Sequence, residues 1–474
     1  MSIYAVCFGL LLCVVMAIRR ADISALLSAS SASMSDAKRK EFVAFHKNYL
    51  LVYALVFMSD WFQGPFVYVL YRHYNYSHET IATLFVVGFA SSFLAGFVVG
   101  PFADRVGRRL ASLAFCVLYA IGCCLKHSPS LVALTLGRVA AGISTSLLYS
   151  VFDAWMVAEH TRRGFSSEWL GETFTSATTL NGVVAIVSGF VADALAQRFG
   201  YVAPFDAAAL LLAVAFVVIT MTWSENKAEK ENPNDESMLS LAKEAANVCF
   251  NDLNVALLGV IQSTFEGGMF IFVFQWSNAL ALTAPDQYLD EAFPYGMVFG
   301  AFMACVMLGS SLSMETPQLS LLSLSLLSAL AFCVPAVTTH HWMRLLAFFV
   351  FEACVGMFWP SIGQLKSSIV PERCRATLYN VFRAGLNIIV ITVLLNVDAL
   401  PERTIFVLCA ICMAVSATCA YVLQNRLAQS QDKGAVGTPK SKEYVHLLQE
   451  EADDLDEQLQ MSELVDDSRG NSLA

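Results

Sequence analysis

The sequence predicts an all-α integral membrane protein, and three observations lead to that prediction. Hydrophobic residues make up 57% of the 474-residue chain and charged residues only 14%, and the mean hydropathy is +0.58. Hydrophobic runs of about 20 residues, long enough to cross a bilayer as helices, recur along most of the length. The alternation of polar and apolar residues that marks a membrane barrel is absent, and helices satisfy their own backbone hydrogen bonds in lipid.

Thirteen hydrophobic runs follow one another along the chain. The first, Ile3 to Ile18, is followed by Arg19 and Arg20 instead of a small-residue cleavage site, so residues 1–20 are predicted to form an uncleaved signal anchor. The other twelve are predicted to form the core of the protein. They lie near residues 44–64, 80–102, 110–126, 131–157, 173–195, 204–222, 254–278, 292–314, 317–337, 342–365, 376–397 and 404–424.

Basic residues collect in the loops on one side of the predicted bundle. Arg105, Arg108 and Arg109 lie in one of these loops, and Arg162 and Arg163 lie in the next loop on the same side. The loops on the other side contain fewer basic residues. Because cytoplasmic loops carry the excess of Lys and Arg in membrane proteins, this side, called the basic side below, is predicted to face the cytoplasm.

The longest interval between two core spans divides the twelve into two sets of six. This interval is rich in Glu, Lys and Asn. Short matches between the halves support an internal repeat, such as R-V-A-A-G from Arg138 and E-A-C-V-G from Glu352. The predicted domains are a six-helix bundle over 44–222, a cytoplasmic linker over 223–253, a second six-helix bundle over 254–424 and a disordered cytoplasmic tail over 425–474.

The stretch from Gly100 to Arg109, G-P-F-A-D-R-V-G-R-R, concentrates four charges between the second and third core spans. It matches the pattern G-x-x-x-D-R-x-G-R-R/K, and on this ground the chain resembles the major facilitator superfamily. The resemblance implies two six-helix bundles around a central site, here with one extra N-terminal transmembrane helix. We expect Gly100 to allow close helix contact and Asp104 to cap a neighbouring helix N-terminus while the cytoplasmic side is closed. The predicted gating residues are Gly100, Asp104, Arg105, Gly107, Arg108 and Arg109.

Three longer segments carry a narrower resemblance, to the molybdate-anion transporter family. The resemblance implies alternating access, with molybdate or a similar oxyanion moving into the cytoplasm. Two alternatives stay open: transport of another solute such as an organic anion or a sugar, and a non-transporting membrane receptor or sorting protein that retains the fold. The segments are S-D-W-F-Q-G-P-F-V-Y-V-L-Y-R-H-Y (Ser59 to Tyr74), G-R-V-A-A-G-I-S-T-S-L-L-Y-S-V-F-D-A-W (Gly137 to Trp155) and F-E-G-G-M-F-I-F-V-F-Q-W (Phe265 to Trp276).

Six ionisable residues lie inside core spans and away from the span ends. A charge at the centre of a span costs about 2.5–3.5 kcal/mol on insertion scales, so such residues usually face a cavity or pair with one another. They fall on core spans one, four, seven, ten and eleven, which the superfamily resemblance places around the central cavity. The six are Asp60, Arg138, Asp153, Glu266, Glu352 and Arg383.

Arg138 and Arg383 are the basic members of this set, and guanidinium groups offer forked, permanently charged donors to a tetrahedral oxyanion. We predict that both bind substrate. The alternatives are an ion pair between Arg138 and Glu352 across the two halves and a structural role for Arg383. Asp60, Glu266 and Glu352 are predicted either to couple transport to protons or to act as fixed counter-ions. The supplementary substrate donors are predicted to be Thr145, Tyr149, Asn380 and Asn387.

Several classes of function have no support in the sequence. The thirteen cysteines show no CxxC or Cys/His spacing, and no pairing of nucleophile and base appears, so no enzyme, metal or cofactor is expected. Nucleic-acid binding has no support either, and the expected surroundings are the lipid bilayer.

The C-terminal tail contains the stretch E-Y-V-H-L-L, which fits an acidic dileucine or a tyrosine-based sorting address. The address predicts a location in the cell membrane or in endosomal or lysosome-like membranes. Adaptor binding is predicted at Glu443, Tyr444, Leu447 and Leu448.

Overall fold

The computed structural model consists of helices and short connections in the residues it describes, which are 3–18, 37–227, 247–249, 251–285, 293–315, 321–370 and 375–436. No β-strand occurs in these ranges. The prediction of an all-α chain is therefore confirmed.

In the described part of the first half, the extra N-terminal helix is followed by nine α-helices. The second and fourth core spans each consist of a long helix followed by a short helix nearer the basic side. The bounds are α1 Ile3–Ile18, α2 Ala37–Gln63, α3 Val67–His73, α4 His78–Gly96, α5 Val99–Val106, α6 Arg108–Cys124, α7 Leu131–Leu148, α8 Val151–Arg162, α9 Ser167–Phe199 and α10 Ala203–Thr222.

Six long helices lie in the described ranges of the second half. Two of them include a proline, Pro335 in α13 and Pro360 in α14, and both helices continue past it. The bounds are α11 Leu253–Ala281, α12 Tyr295–Glu315, α13 Leu321–Val337, α14 His341–Ile369, α15 Arg375–Leu395 and α16 Glu402–Val436.

Ten helical segments of the described chain are long and apolar enough to cross a membrane. Three further apolar helices are shorter, at Val6–Val15, Leu321–Val337 and Val381–Leu395, and they correspond to the remaining predicted runs. The first core span is longer than predicted: it runs from Ala37 to His73. Its helix is reorganised into a short 3-10 turn at Gly64–Phe66, where Pro65 cannot donate a backbone hydrogen bond.

The helices pack in an order that repeats between the two halves. In the first half α4 packs on α7 and α2 on α9; in the second α12 packs on α14 and α11 on α15. The main contacts between long helices of the two halves are α9 with α12 and α4 with α15, and they are related by the same repeat. This arrangement supports the predicted six-plus-six organisation, although its boundaries stay a prediction.

Glycines set the distance between the helices of each repeated pair. A Cβ atom on Gly142 of α7 would overlap the carbonyl oxygen of Gly88 on α4, and one on Gly356 of α14 would overlap the carbonyl oxygen of Val306 on α12. Small residues allow such close backbone contact between helices in membranes. The two glycines are the last residues of the matched stretches that begin at Arg138 and Glu352, so those stretches occupy equivalent packing positions.

The contact between α9 and α12 combines glycines with one buried carboxylate. Gly189 lies so close to Gly296 that a Cβ atom on Gly189 would lie 2.6 Å from the carbonyl oxygen of Gly296. Asp193 is only 4% exposed, and its Oδ1 accepts a hydrogen bond from the Gly296 backbone N–H at 3.0 Å. Gln197 donates to the other carboxylate oxygen at 2.6 Å. Asp193 therefore caps the N-terminus of α12 from the other half of the protein.

Helix α1 packs along the same contact. The Phe8 ring stacks on Phe190 of α9, with ring centroids 6.2 Å apart, and also lies against Gly300 of α12. Near the start of α1, the Tyr4 hydroxyl lies 2.6 Å from Nε2 of His341 on α14. The extra helix thus contacts helices of both halves.

The cap from Asp193 gives a prediction for stability. Asp193→Ala is expected to destabilise the protein by about 0.5–2 kcal/mol, because the α12 N-terminus loses its acceptor. Asp206→Ala is the matched control: its ion pair with His127 is more than half exposed on both sides and should contribute little. Thermal unfolding of the two detergent-purified variants measures the difference, and equal midpoints would contradict the assigned cap.

Candidate functional site

Polar side chains from helices of both halves surround one region of the interior. In the first half, the Tyr119 hydroxyl of α6 donates a hydrogen bond to Asp60 of α2. Tyr149, between α7 and α8, packs edge-on against Phe57 of α2 and lies within electrostatic reach of both Asp60 and Arg383 of α15. Tyr149 is nevertheless 52% exposed. A side chain that is exposed while it lies between the halves lines an open interior space.

Arg383 is the basic residue that the second half contributes to this space. Its side chain is exposed, and Tyr149 and Glu266 lie within its electrostatic reach. Asn387, one turn further along α15, donates its side-chain N–H to the Arg383 carbonyl oxygen at 2.7 Å. Three predicted substrate residues, Tyr149, Arg383 and Asn387, are therefore brought together.

Two other predicted donors are placed differently. The Thr145 hydroxyl donates to the Ala141 carbonyl oxygen of its own helix at 2.9 Å, so its proton is already used. The side chain of Asn380 lies outside the described residues, and its predicted role stays a prediction.

Sequence reasoning missed Lys366, which belongs to the same group. Lys366 of α14 lies within electrostatic reach of Glu266 and Arg383, and its Nζ atom is 4.5 Å from the centroid of the Tyr379 ring. The predicted span ended at residue 365, which assigned Lys366 to a basic loop. Because α14 continues to Ile369, Lys366 lies in its last turn, where the side chain is half-buried and its ammonium group lies over Tyr379 of α15.

Arg138 belongs to a second group, nearer the side opposite to the basic side. Its Nε donates to the Leu84 carbonyl oxygen of α4 at 3.1 Å, and its guanidinium lies 4.6 Å from the centroid of the Phe85 ring. Lys126 lies within its electrostatic reach. The predicted span 110–126 ends at Lys126. This lysine is fully buried and donates a hydrogen bond to Gln63 Oε1 at 3.2 Å.

The predicted pair between Arg138 and Glu352 does not form. In the described part of the chain, neither residue takes part in an ion pair. Glu352 is buried against α12, where Cys305 is its electrostatic neighbour, whereas Arg138 is held by α4. The pairing hypothesis is thus wrong for this conformation, because the two residues are equivalent in the repeat and each faces the partner helix of its own half. Asp60 is likewise bonded by Tyr119 and not by an arginine.

The predicted gating stretch forms a compact set of contacts on the basic side. Arg108 forms an ion pair with Asp104 at 2.8 Å. The backbone N–H groups of Arg109 and Leu110 donate to the Glu225 carboxylate, at 3.0 and 3.1 Å. Asp104 therefore pairs within its own loop in this conformation, and the acceptor at the N-terminus of α6 is Glu225, which the sequence did not indicate.

The two glycines of the gating stretch have different surroundings. Gly107 adopts φ +124°, and a Cβ atom there would overlap the Glu225 carboxyl group. No atom would lie within 4 Å of a Cβ atom on Gly100. The expectation that Gly100 permits close helix contact is wrong for this conformation, and the position that needs glycine is Gly107. Arg105 is exposed, and its predicted gating role stays a prediction.

The segment that follows α10 is fixed to the first half by further contacts. Trp223 stacks on Trp155 of α8, with centroids 3.6 Å apart and planes 6° from parallel. The Ser224 hydroxyl donates to Glu159, which is fully buried and paired with Arg162 at 2.6 Å. The start of the predicted linker is therefore held by α6 and α8.

Aromatic side chains join the two halves at the end of the bundle opposite to the basic side. Tyr68, His78 and Phe85 of the first half all contact Phe274 near the end of α11. Towards the basic side, Asp153 and Arg383 have exposed side chains. The interior region is thus closed by aromatic contacts at one end and exposes its polar groups nearer the other.

Comparisons with known proteins agree with this architecture and place the chain among membrane transporters. Residues 5–350 match the model of a family described as sugar transporters with twelve transmembrane segments. The chain is 32% identical over 422 residues to the molybdate-anion transporter of Xenopus tropicalis, covering 85% of this chain and 90% of that protein. It is 33% identical over 398 residues to the molybdate-anion transporter of Danio rerio, covering 77% and 81%. The chain therefore belongs to the molybdate-anion transporter family of the major facilitator superfamily.

Solved structures share the fold at low sequence identity. The nucleoside transporter NupG superposes with a TM-score of 0.62 at 13% identity, covering 80% of this chain and 98% of that one. The POT family transporter PepTSo superposes with a TM-score of 0.62 at 12% identity, covering 82% and 98%. The predicted family and the predicted fold, a multi-pass major facilitator core with an additional N-terminal helix, are confirmed.

The difference between Gly107 and Gly100 can be measured. Gly107→Ala is expected to destabilise the protein by about 1–3 kcal/mol, because alanine rarely adopts this backbone conformation and its methyl group would displace Glu225. Gly100→Ala, within helix α5, is the matched control and should be neutral or slightly stabilising. Thermal unfolding of the purified proteins compares them; a Gly107→Ala variant as stable as Gly100→Ala would show that the contact with Glu225 is unimportant.

Proposed function

We propose that the chain carries molybdate, or a similar tetrahedral oxyanion, across the membrane by alternating access. The observation that carries the proposal is Arg383: a permanently charged guanidinium, exposed to the interior space, that forms no ion pair with any described residue. An uncompensated cation between membrane helices favours an anion as ligand. The names of the relatives, molybdate-anion transporters, support the same choice.

The remaining predicted substrate residues fit this proposal at two levels of the membrane. Tyr149 and Asn387 accompany Arg383 in the part of the interior nearer the basic side, and Asn380 of the same helix α15 is proposed as a further donor. Arg138 and Thr145 lie on α7, with Arg138 nearer the opposite end. Rocking of the two halves would expose the two levels to opposite sides in turn, which is how alternating access moves a solute.

Orientation, gating and location complete the proposal. The basic side faces the cytoplasm, the two bundles joined by the linker over 223–253 rock about the central site, and the stretch from Gly100 to Arg109 acts as the gate. Transport is directed into the cytoplasm. The cell membrane is the proposed location, with endosomal or lysosome-like membranes as an alternative through the adaptor site at Glu443, Tyr444, Leu447 and Leu448, residues that lie outside the described ranges.

A sugar or another organic solute is the second candidate, because the matched family model is described as one of sugar transporters. A neutral sugar would leave the charge of Arg383 uncompensated, which disfavours this candidate. Uptake of radiolabelled molybdate by cells that lack their own molybdate transporter separates the two. Uptake no higher than background, with the protein present at the cell surface, would remove the molybdate assignment.

Arg383 gives the direct test of the proposed site. Arg383→Gln is expected to lower kcat/KM for molybdate about tenfold to a hundredfold, because a hydrogen bond to a charged group contributes about 1.5–3 kcal/mol. Arg198→Gln is the control, since Arg198 is an exposed residue at the end of α9 and should have no effect. Initial uptake rates measured at equal surface expression decide the matter: an Arg383→Gln variant with normal kinetics would exclude this arginine from the site.

A further inference from the structure

We propose that Lys366 and Arg383 together bind the oxyanion and that Glu266 couples its binding to one proton. The inference rests on the proposed function and adds to it a second cationic ligand and an energy source. Sequence reasoning left Lys366 out and left open whether Glu266 is a coupling group or a fixed counter-ion.

Three helices of the second half bring these groups together. Glu266 lies in the middle of α11, Lys366 near the end of α14 and Arg383 on α15. Each of the two cations lies within electrostatic reach of Glu266 and of the other cation. In the described part of the chain, however, neither cation forms an ion pair with the carboxylate. The positive groups are therefore close to an acid that does not neutralise either of them by direct contact.

Glu266 itself is buried and incompletely bonded. The residue is 4% exposed, and its Oε1 atom is buried without a hydrogen-bond partner among the described residues. Gln262, one turn earlier on α11, likewise has a buried Oε1 without a hydrogen-bond partner among the described residues. A buried, partly unbonded carboxylate oxygen is costly when ionised, and a proton would give it a donor.

The groups that face Glu266 from the neighbouring helices are few. Helix α14 contributes Lys366 and α15 contributes Arg383. Helix α16 packs on α11 at Gly268, where the Cys409 thiol lies 3.7 Å from the Gly268 carbonyl oxygen. Across the interior space, Tyr149 of the first half is the neighbour of Arg383. The charge balance of the site is thus decided by one carboxylate and two cations.

That balance changes when a dianion enters. The empty site carries two positive charges and one negative charge. A bound dianion would make the site net negative, with the carboxylate and the anion competing for the same cations, and like charges brought together away from water repel strongly. A proton on Glu266 makes the loaded site neutral. The proton therefore enters Glu266 with the anion from one side of the membrane and leaves with it on the other.

Glu352 provides a matched comparison within the same half. It is also a buried carboxylate on a core helix, and in the described part of the chain it forms no ion pair. Its electrostatic neighbour is Cys305, however, and not a lysine or an arginine. Removal of its charge should leave the anion site unchanged.

The full-length protein reconstituted into liposomes allows two assays that separate the steps. Molybdate exchange at equal pH on both sides requires anion binding and rocking but no net proton movement. Accumulation driven by an inward proton gradient requires coupling. Wild-type protein and Asp206→Asn, whose exposed pair with His127 lies outside the site, should perform both. Glu352→Gln should retain exchange, because its electrostatic neighbour is Cys305 and not one of the two cations. Glu266→Gln should retain exchange and lose gradient-driven accumulation.

Lys366 is tested in the exchange assay. Lys366→Met is expected to raise KM for molybdate at least about tenfold, because one of two cationic ligands is lost. Lys366→Arg keeps the charge and should recover most of the affinity, which a purely structural role in packing on Tyr379 would not predict. A Lys366→Met variant with wild-type KM overturns the assignment of this lysine.

A measurement on the wild-type protein tests the proton coupling without depending on whether the variants fold. Adding molybdate to purified protein in weakly buffered solution should remove about one proton from solution for each anion bound. Binding without proton uptake overturns the coupling, as does gradient-driven accumulation by folded Glu266→Gln. Wild-type protein that exchanges no molybdate overturns the proposed function itself, and this inference with it.

Discussion

A charged side chain inside a membrane must find a partner, a cavity or water, and the structure of this chain depends on how it meets that requirement. Some of its interior charges are neutralised locally. Arg344 is fully buried and forms an ion pair with Glu402 at 2.7 Å while it donates to backbone carbonyl groups. Glu159 is neutralised by two arginines, and Asp193 by the N-terminus of α12. Arg383, Lys366 and Glu266 differ from these residues, because the two cations and the carboxylate lie near one another without an ion pair between them.

The same requirement explains why the helices approach so closely where they do. Backbone groups in lipid are satisfied within each helix, so the helices have few polar groups left to join them, and packing must supply the attraction. Glycines at the two repeated contacts, α4 with α7 and α12 with α14, provide that packing. The repeat is incomplete on the basic side: the gating stretch of the first half carries three arginines and Glu225 caps α6 after it, whereas the corresponding stretch of the second half, Gly309 to Pro317, has no basic residues. The charged signature is therefore present in the first half alone.

Much of the fold could be predicted from the sequence, since about 20 consecutive apolar residues allow few structures in lipid. The sequence-level repeat also located the equivalent glycines, because close packing leaves a local mark. Pairing between distant residues left no such mark. Arg138 and Glu352 carry opposite charges, which suggested a pair, yet each lies against the neighbouring helix of its own half. Lys126 and Lys366 both lie at helix ends, and the apolar pattern does not determine where a helix ends to within one turn. A shift of one turn decides whether such a lysine belongs to a loop or to a packed helix. The capping of α6 by Glu225 could not be predicted for a different reason. It depends on the backbone N–H groups of Arg109 and Leu110, which are far from Glu225 in the sequence.

Helix α1 bears on how the two halves can move. The proposed rocking would change the contact between α9 and α12, where the backbones meet at Gly189 and Gly296 and Asp193 accepts a hydrogen bond from the Gly296 N–H. Phe8 of α1 lies on both partners, stacked on Phe190 of α9 and set against Gly300 of α12, so any relative movement of α9 and α12 must change its contacts. Tyr4 lies 2.6 Å from His341 of α14, which ties the start of α1 to the second half. If α1 moves with the second half, both the stacking of Phe8 on Phe190 and the cap from Asp193 must break when the halves rock.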